Sequence, residues 1–239
     1  MIVLRIIITI ILIIIYFCCL IITPKCNVNN LSNIFIKLIL YVCNLTKINI
    51  INKDIFDKYY NSNRPFIIVS NHTSLWDGLM LNNAFCRLRY LAAKDANKMI
   101  FGTKYIFDKL DCIIVKESGT VKTIQERVKK RQPNDNILVI FPDAMDRIPN
   151  GRNIAPFKTG AFATGFDILP ILIKYKDYTV DPTFYWYKKE NPFHAWIKIL
   201  LNSKFSTTIK VLPLIKSMDN VEEFKDKVYK IMSDNLVKL

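Results

Sequence analysis

Residues 65–77 have the sequence Pro-Phe-Ile-Ile-Val-Ser-Asn-His-Thr-Ser-Leu-Trp-Asp. The apolar run at residues 66–69, which follows a proline, is typical of a buried β-strand, and residues 75–85 predict a helix. The polar residues between them therefore occupy a loop at the C-terminal end of a strand. Loops in this position usually carry the functional sites of α/β sheets.

Predicted strands and helices alternate along the rest of the chain. Apolar runs predict strands at residues 90–93, 112–115, 137–141, 168–175 and 207–212. Helices are predicted at residues 97–109, 121–131, 196–201 and 221–237, with a turn and short helix at 157–165. We expect Pro170 to interrupt the strand at 168–175. The alternation predicts an α/β fold with a mostly parallel sheet flanked by helices.

Composition narrows the classes of function. The 239 residues are 51% hydrophobic, which suits one sizeable folded domain and excludes wholesale disorder. Lys and Arg exceed Asp and Glu by 34 to 20, and this net charge of +14 suggests an anionic partner such as a membrane surface or a phosphorylated substrate. A nucleic-acid-binding protein would share this excess, but the chain has no recognisable motif of that class. With two His and no Cys-x-x-Cys, a zinc site is not expected.

The N-terminus predicts a membrane-anchoring helix. Residues 6–22 are apolar except for Thr9, and with residues 2–4 the run is long enough to cross the roughly 30 Å of a bilayer core. A signal peptide is the alternative, but no cleavage site of small residues follows the run. One basic residue precedes the run and four follow it before residue 54, which predicts that the rest of the chain is cytoplasmic.

A second apolar stretch, at residues 34–45, is too short for a confident span. It is interrupted by Lys37 and predicts either a helix in the membrane interface or a core helix of the domain. We therefore divide the chain into an N-terminal anchor with an interfacial helix at residues 1–53 and a main domain at residues 54–239.

His72 and Asp77 are the first candidates for chemistry. On a continuous helix, a spacing of five would place them about 140° apart, so they can meet only if His72 lies in the loop and Asp77 in the first helical turn. Ser74 is a suitable N-cap for that helix. A carboxylate that fixes the histidine tautomer would make His72 a general base near neutral pH. Alternatively, Asp77 only completes a capping box with Ser74, and His72 is an ordinary loop histidine.

A second polar segment follows the strand at 137–141. It has the sequence Phe-Pro-Asp-Ala-Met-Asp-Arg at residues 141–147 and Pro-Phe-Lys-Thr-Gly-Ala-Phe at residues 156–162. Backbone N–H groups at a helix start, with Lys158 or Arg147 nearby, could hold a phosphate. Solvated surface charges are the alternative explanation.

Taken together, the segments resemble the glycerolipid acyltransferases, the PlsC-like superfamily of lysophosphatidate and lysophospholipid acyltransferases. The shared order is an apolar N-terminus, Asn-His-x4-Asp, Phe-Pro-Asp, Phe-Lys-x-Gly and then Leu169-Pro170-Ile171. The resemblance covers roughly residues 60–215 and is strongest to the branch that acylates lysolipids.

The resemblance implies a membrane-bound O-acyltransferase of phospholipid biosynthesis or remodelling. His72 then matches the general base and Asp77 its orienting carboxylate. The substrate-binding positions that it implies are Lys116, Asp143, Arg147, Lys158 and Gly160. The partners that it implies are membrane lipids and either acyl-CoA or acyl carrier protein. It implies no metal, no cofactor and no nucleic acid. The oligomeric state is left open.

The third motif departs from the pattern of that superfamily. Its usual Phe-Pro-Glu-Gly-Thr-Arg is Phe-Pro-Asp-Ala-Met-Asp here, so Asp146 occupies the expected Arg position and Arg147 comes one place late. Lys116 also replaces an Arg, which exchanges a bidentate fork for a point charge. These changes weaken the expectation of a phosphomonoester acceptor. They keep open the alternative of a catalytically weak, membrane-associated lipid-binding relative.

Overall fold

The computed structural model describes residues 2–24, 27–45, 47–62, 64–85, 87–94, 103–116, 118–132, 135–143, 154–183, 191–202 and 205–239. The helices are α1 (Ile2–Ile22), α2 (Val28–Val42), α3 (Lys53–Tyr60), α4 (Asp77–Phe85), α5 (Thr103–Lys109), α6 (Thr120–Lys129), α7 (Pro192–Leu200) and α8 (Val221–Val237), with a 3₁₀ helix at Thr159–Thr164. The strands are β1 (Lys47–Ile51), β2 (Phe66–Ser70), β3 (Leu88–Ala92), β4 (Ile113–Ile114), β5 (Ile137–Ile140), β6 (Asp167–Lys176) and β7 (Ser206–Val211).

Within the described ranges, the seven strands form one mixed sheet in the order β1-β7-β6-β2-β5-β3-β4. Five neighbouring strands, β6, β2, β5, β3 and β4, are mutually parallel. Strand β7 is antiparallel to β6 and has β1 as its parallel neighbour. The predicted α/β fold with a mostly parallel sheet is confirmed. Strand β2 lies near the middle of this sheet, between β5 and β6, so the loop that follows it is supported from both sides.

The predicted interruption at Pro170 is wrong, because β6 continues through the proline. Residues on both sides of Pro170 pair with β2, and its carbonyl still accepts a hydrogen bond from the Leu212 N–H at 2.9 Å. A proline removes one donor from a ladder but leaves the acceptor. The strand therefore extends to Lys176, and the last residues of β6 reach beyond the end of β2.

Apolar layers cover both faces of the sheet. Because side chains alternate along a strand, Phe66 and Ile68 of β2 pack into one layer and Ile67 and Val69 into the other. Helices α2, α3, α4 and α7 complete the first layer, with side chains such as Leu40, Phe56, Met80 and Leu200. Helices α6 and α8 and the 3₁₀ helix complete the second layer, with side chains such as Ile124, Phe224 and Phe162. The result is a three-layer fold with a rigid strand beneath the loop at residue 72.

Helix α1 is long and apolar enough to cross a membrane, with 21 residues and most of its isoleucines exposed. Its other side packs against the domain, where the Arg5 guanidinium donates to the Asn202 carbonyl and the Tyr16 and Ser32 hydroxyls are 2.8 Å apart. It is thus a candidate membrane anchor that is also attached to the fold.

Helix α2 contributes to the core, which is one of the two alternatives considered for residues 34–45; its position at a membrane interface stays a prediction. Phe35, Ile39 and Leu40 are buried, whereas Leu38 and Tyr41 are exposed. Strand β1 and helix α3 were not predicted from the sequence; β1 pairs with β7 although it lies before the predicted boundary at residue 53. The division of the chain into 1–53 and 54–239 stays a prediction.

Candidate active site

His72 and Asp77 lie between the end of β2 and the first turn of α4. The loop at residues 71–76 is not helical, so the two side chains meet across it as the spacing requires. The Nδ1 atom of His72 and the Oδ2 atom of Asp77 are 2.8 Å apart, which is hydrogen-bonding distance. Because a carboxylate only accepts hydrogen bonds, Nδ1 carries the proton and the lone pair of the neutral ring lies on Nε2.

The Asp77 carboxylate is fully buried and well supplied with donors. Besides His72, its Oδ2 atom accepts the backbone N–H groups of Thr73 at 2.7 Å and Ser74 at 2.9 Å. Its Oδ1 atom accepts the hydroxyl of Tyr175. Buried carboxylates need such donors to remain charged. The capping contact with Ser74 and the pairing with His72 therefore occur together on one carboxylate.

The imidazole of His72 is held from a second side by Phe141, the residue after β5. The two ring centres are 4.1 Å apart and the planes are 20° from parallel. Tyr90 stacks on the other side of Phe141, with ring centres 6.0 Å apart. These contacts fix the orientation of the His72 ring. Because the side chain retains 16% exposure, solvent still reaches it.

Asp143, three residues after the end of β5, supports the same loop. Its Oδ2 atom accepts the backbone N–H of His72 at 2.9 Å, and its side chain is 1% exposed. Its Oδ1 atom has no hydrogen-bond partner among the described residues. Burial, which outweighs the hydrogen bond from His72, raises the pKa of Asp143 from 3.8 to about 7.

Asn71 fixes the start of the loop to β6. Its side-chain amide donates to the Ile173 carbonyl at 2.9 Å, and its side-chain oxygen accepts the Ile173 N–H at 2.8 Å. This pair of bonds extends the contact between β2 and β6 beyond the last paired residues, Ser70 and Ile171. The backbone immediately before His72 is therefore rigid.

The model of the protein family described as Acyltransferase matches residues 47–174, which is more than half of the chain and includes the whole loop. This chain belongs to the Acyltransferase family. The glycerolipid acyltransferase resemblance inferred from the motifs is confirmed by this match together with two acyltransferase relatives and a structural neighbour.

The relatives act on lysolipids according to their names. Lysophospholipid acyltransferase LPCAT4 of Xenopus tropicalis is 25% identical over 189 residues, covering 74% of this chain and 35% of that protein. Lysophospholipid acyltransferase LPEAT1 of Arabidopsis thaliana is 30% identical over 121 residues, covering 47% of this chain and 29% of that protein. This acyltransferase chain thus spans about a third of the length of the curated relatives it matches.

The fold comparison reaches further along the chain. The 1-acyl-sn-glycerophosphate acyltransferase PlsC of Thermotoga maritima has a similar structure, with a TM-score of 0.63 at 16% identity. The match covers 94% of this chain and 86% of that one. The comparison therefore shows that the chain has a PlsC-like fold.

The structure brings together three of the predicted site residues, namely His72, Asp77 and Asp143. Lys116 is exposed after β4, with its backbone N–H bonded to the Thr120 hydroxyl at 2.9 Å. Lys158 is exposed and its backbone N–H donates to the Pro142 carbonyl at 2.9 Å, which ties the second segment to the end of β5.

The other two predicted substrate-binding positions are Gly160 and Arg147. Gly160 lies in the 3₁₀ helix, and a Cβ atom added there would meet nothing within 4 Å, so packing does not require a glycine. Arg147 lies outside the described residues, as do the third-motif residues Ala144 and Asp146.

Among the described residues, no group of three or more His, Cys, Asp or Glu is placed to hold a metal ion.

The roles of Asn71, Phe141 and Tyr175 were not predicted from the sequence. Asn71 and Phe141 are the first residues of two recognised motifs, Asn-His-x4-Asp and Phe-Pro-Asp, and their places in these motifs next to a strand end were the available signal. Tyr175 comes five residues after Pro170, and strand alternation places it on the same face as Ile171 and Ile173. No signal in the sequence joins it to Asp77.

Proposed function

We propose that this acyltransferase moves a fatty acyl group from a thioester donor, acyl-CoA or acyl carrier protein, to a free hydroxyl of a lysophospholipid or 1-acylglycerol-3-phosphate. The proposal assigns His72 as the general base and Asp77 as the carboxylate that orients it. It places residues 54–239 as the catalytic domain on the cytoplasmic side of a membrane, working without a metal or other cofactor.

The observation that carries this proposal is the pairing of His72 with a buried carboxylate. With Nδ1 bonded to Asp77, Nε2 is the atom of the ring that can take a proton from an acceptor hydroxyl. The imidazolium that forms is stabilised by the same carboxylate. The stack on Phe141 restricts rotation of the ring, so the lone pair keeps one direction.

The reaction needs no covalent acyl-enzyme, because a thioester is already activated. The acceptor oxygen attacks the thioester carbonyl as His72 removes its proton, and a tetrahedral oxyanion forms. When this intermediate collapses, the carbon–sulfur bond breaks and the thiolate leaves. The proton held by His72 neutralises that thiolate, so the products are an ester and a free thiol.

Membrane lipids suit the chain as acceptors for two reasons. Helix α1 is a candidate anchor that would hold the domain at a bilayer, where lysolipids are found. The net charge of +14 favours an anionic surface. The names of the two curated relatives support the lysophospholipid class in particular.

The test compares membranes that contain wild-type protein, His72→Ala or His194→Ala. His194, the other histidine of the chain, is exposed on α7 and serves as the matched control. The donors are labelled acyl-CoA and acyl carrier protein loaded with the same labelled acyl group. The acceptors are glycerol 3-phosphate, lysophosphatidate, lysophosphatidylcholine and lysophosphatidylethanolamine.

We expect product with at least one lysolipid, a loss of at least about 100-fold in His72→Ala, and little change in His194→Ala. The active acceptor then shows what Lys116 and the altered third motif permit. Equal product from the His72→Ala membranes would contradict the assignment of the base. No product with any donor and acceptor pair, from folded protein, would favour the lipid-binding relative instead.

A further inference from the structure

We infer that Tyr175 is a positioning residue of this site, which holds the Asp77 carboxylate from the side opposite His72 and thereby sets how firmly His72 binds its proton. The inference rests on the proposed function, since it concerns the base of that reaction. It adds a third member to the His72 and Asp77 pair.

Tyr175 reaches the site because β6 is longer than β2. The pairing of the two strands ends at Ser70 and Ile171, and Tyr175 lies four residues further along β6. Strand alternation places its side chain on the face covered by α4, where its hydroxyl donates to Oδ1 of Asp77. The ring is buried and packs against Phe205, with ring centres 5.3 Å apart.

The two carboxylate oxygens of Asp77 have different kinds of donor. Oδ2 receives the imidazole and two backbone N–H groups, all from the loop at residues 72–74. Oδ1 receives Tyr175, which belongs to a central strand rather than to the loop. The tyrosine therefore ties the orientation of the carboxylate to the sheet.

Tyr175 remains a hydrogen-bond donor under the conditions in which the site operates. Burial and the neighbouring Asp77 charge both raise the pKa of Tyr175 well above its ordinary value of 10. The hydroxyl of Tyr175 accordingly stays protonated at neutral pH.

Loss of this hydroxyl has two expected consequences. Oδ1 becomes a buried acceptor without its donor, so the carboxylate is free to turn away from the geometry that orients His72. In addition, the negative charge on Asp77 is less well stabilised, so the carboxylate attracts the imidazolium proton more strongly. His72 then keeps its proton to a higher pH.

The experiment measures acyl transfer against pH for wild type, Tyr175→Phe and Tyr90→Phe in native membranes with all variants at equal amount. Tyr90 is the control, because it is a partly buried tyrosine near the site whose hydroxyl donates at 2.8 Å to the backbone carbonyl of Gly78 instead of to Asp77. We expect kcat to fall about 10-fold to 100-fold in Tyr175→Phe, with a smaller change in KM for the donor. We also expect the acid limb of kcat/KM to move to higher pH in this variant alone.

A second substitution guards against a simple folding defect. Incorporating 3-fluorotyrosine at position 175 keeps the ring and the hydroxyl but makes the hydroxyl a stronger donor. The acid limb is then expected to move to lower pH, which is the opposite direction from Tyr175→Phe. A defect in folding would not produce shifts of opposite sign.

Three results separate the possibilities. Wild-type rate and profile in Tyr175→Phe would overturn the inference. A loss of rate in both tyrosine variants, with the acid limb unmoved and no effect of the fluorinated residue, would show a structural role only. Failure of the proposed function is distinguishable, because it appears as retained activity in His72→Ala whatever Tyr175 does.

Discussion

Replacing Asp143 with Asn removes a titratable carboxyl from the interior while keeping the shape of the side chain. The Asn carbonyl can accept the His72 backbone N–H in the same way as the present Oδ2, which lies 2.9 Å from that nitrogen. The substitution therefore isolates the effect of the charge. It tests whether burial holds a proton on Asp143, as the raised pKa implies.

The size of the effect follows from linkage between protonation and folding. The pKa of Asp143 is about 7 in the folded protein against an ordinary value of 3.8, so the folded chain binds more protons between these values. The stability contributed by this group is full below the unfolded value and is lost as pH rises through the folded pKa. At about 1.4 kcal/mol per pH unit the whole loss is roughly 4 kcal/mol. Because the side chain is 1% exposed, solvent screening does not reduce this figure much.

The assay is urea unfolding in detergent micelles at about pH 5 and about pH 8, followed by tryptophan fluorescence, to which the buried Trp76 contributes. Between pH 5 and pH 8, we expect the free energy of unfolding to fall by roughly 2 to 3 kcal/mol more in wild type than in Asp143→Asn. Asp57→Asn is the control, because Asp57 is an exposed carboxylate paired with Lys53 and its removal should leave the wild-type pH dependence. Parallel pH dependence in wild type and Asp143→Asn would show that burial does not hold a proton on Asp143.

Asn71→Ala leaves the N–H and C=O of Ile173 without their buried partners, so we expect a loss of about 2 to 4 kcal/mol in the same urea titration. Asn29→Ala, which removes one partly buried contact, should cost less than half as much, and equal losses would contradict this account. Changing both Ile11 and Ile14 to Lys on the exposed side of α1 places charges that cost about 3 kcal/mol each at the centre of a bilayer. We expect the variant to move from the membrane pellet to the supernatant on centrifugation, and an unchanged distribution would argue against membrane anchoring by α1.

Local patterns in the sequence predicted much of the fold. Strand β2 and helix α8 were found within one residue of their ends, because β2 is a continuous apolar run after a proline and α8 has a helical spacing of apolar residues. Strand β1 was missed because it lies at the edge of the sheet and contains Asn49 between its apolar residues. A short, half-exposed strand has little apolar signal, and its pairing with β7 is what gives it regular structure.

The candidate site, like the fold, was predicted from the sequence only in part. The residues alone left open whether Asp77 pairs with His72 or only caps the helix, and the family resemblance favoured the pairing. The structure shows the pairing, with α4 beginning at Asp77. The third-motif aspartate, Asp143, was also selected from its motif. Its burial and raised pKa could not be predicted, because they depend on how β5 and the loop after β2 enclose the carboxyl.

The amino-acid sequence determined the apolar helix α1, the central strand β2 and the polar loop that joins β2 to α4, because each depends on residues close together in the chain. The contact of Tyr175 with Asp77 and the hydrogen bonds of Asn71 with Ile173 depend on the tertiary structure. These partners are separated by 98 and 102 positions. Their contact depends on strand order and on the register of β6 against β2. Alternation along a strand shows which face a side chain occupies but contains no information about its neighbour in the next strand.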